Sequence, residues 1–239
     1  MTATEWGRRA ADLYQPDYAA RYRQADDDIR DGELVQTFGR WLRRITESFR
    51  REISVLDLGC GTGRYFWALR NVRDLVGVDV SAAMLERART PVNAAEVTAA
   101  RITLVHGDFL TQVFDAGRFD VVYSIGVLAE HSPLDERIVQ RVAQWLAPGG
   151  MFAFTAVHPR SFSVPRTWQR RLGERLLPWT ARRWRAALRS RLLSGGLYAD
   201  EDRLHELLPR YGLAIESIEP HQSDIHLHLM CVARKVARV

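Results

Sequence analysis

Cysteine is scarce in this chain, lysine nearly absent, and long apolar runs are missing altogether. The two cysteines, Cys60 and Cys231, lie far apart and form neither a disulfide pattern nor a zinc ligand set, so both read as reduced thiols. Lys235 is the only lysine among 34 lysines and arginines. Such a bias is what GC-rich coding produces, so the net charge of +5 does not by itself mark a nucleic-acid binder. The distribution of charge carries more weight than its total. No stretch of about eighteen apolar residues occurs, which excludes a membrane-spanning helix. The N-terminal MTATEWGRRAADLYQP lacks an apolar signal core, and the chain reads as mature and cytoplasmic. Neither an internal repeat nor a low-complexity linker interrupts it.

What is present is the composition of a globular protein: 239 residues, 46% hydrophobic and 26% charged, enough for one α/β domain of ordinary size. Residues 1–50 pattern as amphipathic helix. Trp6, Ala10, Leu13 and Tyr14 recur at helical spacing before Pro16, which breaks the helix or starts a new one. Leu34, Phe38, Trp41, Leu42 and Ile45 form a second stripe. The period then changes. ISVLDL (53–58), DLVGVDV (74–80), RITLVHGD (101–108), FDVVYSI (119–125) and GMFAFTAV (150–157) read as short strands. GRYFWALRN, AAMLERART and DERIVQRVAQWLAPGG lie between them as helices, the last leaving at Pro148, Gly149 and Gly150. Strands alternating with helices predict a parallel sheet covered on both faces. GLAIESIEP (212–220) and DIHLHLMCVARK (224–235) are separated too briefly for a crossover, so this pair is predicted antiparallel.

Residues 158–199 fit none of this. They hold ten arginines against one acidic residue, Glu174, with Trp168, Trp179 and Trp184 among them. Leu172, Leu176 and Leu177, and again Trp184, Leu188 and Leu192, would give two helices an apolar side. The segment reads as a basic helical insertion or lid over an acceptor, its aromatic sides packed inward and its arginines in water.

The stretch DLGCGTG follows a predicted strand and opens a predicted helix. Glycine permits positive φ and a close approach of backbone to ligand, and the amides of such a turn suit a polar or anionic group. Alone, a GxGxG run also occurs in nicotinamide and flavin sites. Two aspartates sharpen it. Asp79 closes the second strand, placed to accept from the two hydroxyls of a ribose, and Asp108 closes the third, where a carboxylate would accept an adenine amino proton.

With VLDLGCGTGRY, LVGVDVSAAMLERAR, ITLVHGDF, FDVVYSIGVLAEH and VAQWLAPGGMFAFTAV in this order, the chain resembles the class I S-adenosylmethionine-dependent methyltransferases, most of all their small-molecule, ubiquinone- and sterol-type branch. The resemblance implies a three-layer Rossmann-like α/β fold. Its seven-stranded, mostly parallel sheet has an antiparallel last strand, supplied by DIHLHLMCVARK. It also implies four parts: an N-terminal helical cap (1–50), a cofactor-binding core (51–157), the basic insertion (158–199) and a C-terminal part of the core (200–239). The expected cofactor is S-adenosylmethionine. Asp57 and Gly59 match the positions that hold its methionine end, and Gly61 and Gly63 those that keep the loop near sugar and sulfonium. Asp79 matches the ribose acceptor, with Ser81 and Met84 flanking the adenosine. Asp108 and Phe109 match the adenine edge and face contacts. Ser124, followed by Ile125 and Gly126, matches the loop beneath the reacting methyl. Tyr14, Tyr18 and Tyr22 resemble the N-terminal aromatics that close over the cofactor, Tyr14 and Tyr22 sharing a helix face if Pro16 does not break it.

Methyl transfer from a sulfonium is an in-line displacement in which alignment and proximity carry much of the catalysis. A base is needed only where the acceptor must lose a proton. His131, ending GVLAEHS, and His158, just past the fifth strand, are the candidates. His221, His226 and His228, with Asp224, invite a metal reading. The alternation with Ile225, Leu227 and Leu229 is equally that of a half-buried strand, so no metal is expected. The family's NPPY-type tetrad of base-amino methylation is absent, SIGV standing there, as are the paired glutamates of protein arginine methylation. The expected substrate is therefore a small molecule, hydrophobic or anionic, free or carrier-bound, methylated on oxygen or carbon, with nucleic acid disfavoured. An RNA methyltransferase guided by the basic insertion, a cyclase on the same fold and a non-catalytic cofactor-binding subunit are the alternatives. The oligomeric state, homodimer included, stays open.

Overall fold

In the computed structural model, residues 3–161, 197–224 and 226–236 are described. All but the ends of the arginine-rich insertion, with Trp168, Trp179 and Trp184 and its leucine stripes, lies outside the described residues, as does Ile225. Three helices come first: α1 (Ala3–Leu13), α2 (Pro16–Ile29) and α3 (Glu33–Glu47). Then follow β1 (Ile53–Leu58), β2 (Val72–Asp79), α4 (Ala82–Ala88), β3 (Arg101–His106) and β4 (Phe119–Ser124). The chain continues through α5 (Glu136–Trp145), β5 (Leu146–Val157), α6 (Glu201–Leu207), β6 (Leu213–Gln222) and β7 (Leu227–Lys235). Hydrogen bonding orders the strands β3-β2-β1-β4-β5-β7-β6 in one seven-stranded sheet. β1 runs parallel to β2 and β4, and β2 parallel to β3, while β7 is antiparallel to both β5 and β6. This is the expected Rossmann-like arrangement, with the antiparallel strand inserted between its neighbours.

The chain forms two compact units, one of Met1–Ser124 with Trp145–Gly150, the other of Ile125–Gln144 with Met151–Val239. In the first, β1 and β4 are buried almost throughout, as parallel strands covered on both faces must be. α3 buries Val35, Phe38, Trp41, Leu42 and Ile45, the predicted stripe with Val35 in place of Leu34. Gly39 lies on that face because a Cβ there would come 2.7 Å from the Trp67 ring. Asp120 of β4 accepts both terminal nitrogens of Arg51, at 3.1 and 2.6 Å, and the Ser54 amide at 2.9 Å. That fork pins the entry of β1 to its neighbour.

Three sequence expectations change here. GRYFWALRN is not an α-helix but a single 3-10 turn, Phe66–Ala68. Tyr65, Phe66, Trp67, Ala68 and Leu69 are all buried, so the segment has no polar side to turn to water, and Leu69 is already extended. The glycine loop therefore has no long helix dipole behind it. The helix expected up to Gly150 ends at Trp145, and residues 146–150 already belong to β5, Leu146 being fully buried. β3 stops at His106, which leaves Asp108 in the turn beyond the strand.

In the second unit β5, β7 and β6 form an antiparallel ladder with an irregularity between Ile215 and Ser217. Phe152, Phe154, Leu204, Leu207, Leu229 and Cys231 are buried there. Asp200 caps α6 by accepting the Arg203 amide at 3.0 Å.

Replacing Asp120 with asparagine should lower stability by about 1–3 kcal/mol, because the Arg51 fork loses its charge and one acceptor. Urea unfolding should show the midpoint falling at unchanged slope; an unmoved midpoint would assign the fork no structural weight.

Candidate functional site

At the end of β1 the chain turns away from the sheet with Gly59 and Cys60 both donating to the Val78 carbonyl, at 2.8 and 3.0 Å. Gly61 has φ +53°, and a Cβ built on it meets no atom within 4 Å. A left-handed glycine facing open space is a cradle: an added side chain would strain the turn and fill the room. Gly63, at φ +74°, is glycine for a different reason, since its Cβ would lie 2.9 Å from the Phe66 ring and 3.0 Å from Pro91.

Two buried carboxylates bracket this cradle. Asp79, the last residue of β2, accepts the Gly61 amide on Oδ2 and the Ser81 amide on Oδ1, each at 2.9 Å. Burial raises its pKa, and those amides work against the rise. Each oxygen keeps acceptor capacity for a further donor such as a ribose hydroxyl. Asp57 stands level with Tyr123 on β4 and Gly77 on β2. Burial pushes its carboxyl from 3.8 up to about 8; the Tyr123 hydroxyl opposes that shift and the Asp79 charge adds to it. Two acids so placed favour a ligand that brings positive charge and hydroxyl donors.

The other expected site residues lie just past β2 and β3, at the end of β4 and on the N-terminal segment. Ser81 donates its hydroxyl to the Tyr14 carbonyl at 2.6 Å and accepts the Met84 amide at 3.2 Å, so its side chain is spent on the cap and on α4. Met84 and Phe109 are buried. Asp108 Oδ1 accepts the Leu110 amide at 2.8 Å, and Oδ2 lies under α1, 2.6 Å from where a Cβ of Gly7 would be. Ser124 donates to the Leu58 carbonyl at 2.8 Å, a bond between β4 and β1. Pro16 does break the helix, being the first residue of α2. Tyr14, Tyr18 and Tyr22 cluster all the same, their ring centroids 5.3 to 6.2 Å apart.

One group was not foreseen. Asp26 of α2, its side chain fully buried, accepts from the Thr62 hydroxyl and from Arg64 Nε at 2.7 Å. Its place in the run DDD reads as a solvated helix face. The available signal was its spacing, seven residues beyond the buried Ala19 on one face of α2.

The second unit holds the two histidine candidates. The loop after β4 is fixed by Gly126 donating to Thr155 Oγ1 at 3.0 Å and Ala129 donating to the Ser132 carbonyl at 2.7 Å, with Ala129 at φ +56°. His131 stands on that loop with its side chain 53% exposed and Nε2 3.8 Å from Glu130. His158 is buried. Its Nδ1 accepts the Arg160 amide at 2.9 Å, which leaves the proton on Nε2, 3.3 Å from Glu201. Burial lowers its pKa, with Glu201 opposing. With both nitrogens engaged, His158 has no lone pair turned toward an acceptor. His221 and His228 are register partners, and the rings of His226 and His228 are 5.2 Å apart. Burial, followed by His226 and His221, pushes His228 down to about 4. Among the described residues no group of three His, Cys, Asp or Glu could hold a metal ion.

Comparison with known proteins bears on this geometry. Residues 55–150 match the family described as methyltransferase domain. The chain is 33% identical over 111 residues to the ubiquinone biosynthesis O-methyltransferase of Coxiella burnetii, covering 46% of this chain and 45% of that protein. It is 26% identical over 171 residues to the chloroplastic tocopherol O-methyltransferase of Arabidopsis thaliana, covering 70% of this chain and 46% of the other. It thus spans less than half the length of these relatives. Among solved structures, magnesium protoporphyrin IX methyltransferase from Synechocystis with bound SAH superposes with a TM-score of 0.64 at 18% identity, over 96% of this chain and 99% of that one.

The raised Asp57 pKa sets a sign. Burial favours its protonated form, so this group's share of stability is full below pH 3.8 and is lost as pH rises through about 8. A cationic ligand beside it would reverse the preference and expel the proton. S-adenosylmethionine titrations at pH 6.5, in buffers of different ionisation enthalpy, should therefore release close to one proton per site, and Asp57→Asn should abolish that release. Buffer-independent heats would place the Asp57 proton elsewhere.

Proposed function

We propose that this chain, which carries a class I S-adenosylmethionine-dependent methyltransferase domain, transfers a methyl group from that cofactor to an oxygen or carbon atom of a small organic molecule. The observation that carries the reading is the open face of Gly61 between the buried carboxyls of Asp57 and Asp79. An adenosyl-methionine ligand brings what those groups need: an ammonium, and a ribose with two hydroxyls. Asp57 receives the ammonium, Asp79 the hydroxyls, and Asp108 with Phe109 the adenine.

When bound, the cofactor supplies an electrophilic methyl. The chain's own part is to hold donor and acceptor in line and keep water out. Where the acceptor must give up a proton, His131 is the base: it is accessible, whereas His158 is committed to Arg160 and Glu201. The ubiquinone, tocopherol and sterol named for the relatives support a ring-bearing, largely apolar acceptor.

Binding of S-adenosylhomocysteine by the wild-type protein, followed by Asp79→Ala, tests the cofactor site. Loss of a charged acceptor should weaken the affinity by ~10- to 100-fold, about 1.5–3 kcal/mol. Unchanged affinity in a folded variant would remove Asp79 from the site. Once labelled-methyl screening has found an acceptor, His131→Ala should cut turnover by at least ~100-fold at saturating cofactor, and His158→Gln should not. The reverse ranking would exchange their roles.

A further inference from the structure

The N-terminal helices touch the cofactor region at three successive places. Gly7 of α1 lies over Asp108 beyond β3, the Tyr14 carbonyl takes the Ser81 hydroxyl beyond β2, and Asp26 of α2 holds Thr62 and Arg64 beyond β1. The last contact differs in kind from the other two. Asp26 is a fully buried carboxylate, and its two oxygens are divided between two residues of the glycine loop. Thr62 lies between Gly61 and Gly63, is itself 1% exposed, and gives its hydroxyl to Oδ2. Arg64 follows Gly63 and gives Nε and Nη2 to Oδ1. Its guanidinium is held from the other side by the Tyr22 ring, 5.1 Å away and one helical turn before Asp26.

A loop with three left-handed glycines is intrinsically free to take many shapes, and on its own it would lose much of that freedom only when a ligand bound. A buried, charge-assisted clasp on residues either side of Gly63 removes the freedom beforehand. We propose that Asp26 is a positioning residue for the cofactor: through Thr62 and Arg64 it fixes the turn that points the Gly61 amide at Asp79 and keeps the Gly61 face open. This rests on the reading of that loop as the adenosyl cofactor's. Asp26 touches no ligand in this role; it acts through the loop.

The test measures S-adenosylhomocysteine affinity calorimetrically, with thermal melts alongside, for the full-length wild type, Asp26→Asn, Thr62→Val and Thr62→Ser. Asp120→Asn serves as a control that loses stability away from the loop. Asp26→Asn keeps the shape but not the charge and should weaken binding by ~10-fold or more. Thr62→Val removes only the donor and should cost ~3- to 10-fold, while Thr62→Ser restores wild-type affinity. The control should stay within about twofold, because its lost bonds lie outside the clasp. If Asp26→Asn does not fold, the Thr62 pair decides. A folded Asp26→Asn or Thr62→Val with wild-type affinity overturns the assignment, as does a control weakened as much as they are. Wild-type protein that binds no S-adenosylhomocysteine overturns the cofactor reading itself, and the role of the clasp with it.

Discussion

One hydrogen bond organises the carboxyl ends of β1 and β2: the Gly61 amide donating to Asp79. It joins the turn that leaves β1 to the last residue of β2, and only a residue that accepts φ near +53° can make it. Much follows from that bond. Asp79 stays buried because two amides solvate it in place of water. Ser81, whose own amide completes that solvation, starts α4 and takes the cap's Tyr14 carbonyl as its partner. The space beside Gly61 remains open because the turn has nowhere else to go. A buried carboxylate and a left-handed glycine both cost stability in this position, a cost that the proposed ligand site would explain.

The N-terminal helices belong to this arrangement rather than standing over it. Their contacts run along the sheet in the order β3, β2, β1, one for each strand end that contributes to the cradle. A segment so fastened holds the three strand ends in place from outside the sheet. The Tyr14, Tyr18 and Tyr22 rings gain a second explanation here, since Tyr22 supports Arg64 besides lining the cap.

Residues whose chemistry is local were legible in the sequence. Strand runs such as ISVLDL and FDVVYS declare themselves by β-branched and aromatic content, and Asp57, Asp79 and the glycines by their places at strand ends. Residues whose role depends on a distant partner were not. GRYFWALRN buries Tyr65 through Leu69 without a break and becomes one 3-10 turn, which is a property of its surroundings. Asp26 looks like its neighbours Asp27 and Asp28 until Thr62 and Arg64 are beside it. His158 promised a base by position, and its Nδ1 turned out to be committed to an amide two residues on. Ser81 and Ser124 were expected beside the cofactor, and their hydroxyls bond the protein.

The place of β7 has a consequence for how the molecule is made. It lies between β5 and β6 and is hydrogen-bonded to both, although it follows both along the chain. During vectorial synthesis on the ribosome, β6 emerges with no neighbour to pair with, and the matching flank of β5 waits uncovered beside it. β7 covers both edges, pairing with β6 across a four-residue connection and with β5 along residues 151–157. Until then the nascent sheet presents two open strands, the form most prone to pair with another chain. Pairing by β7 thus removes from the growing polypeptide the edges through which it could associate with its neighbours.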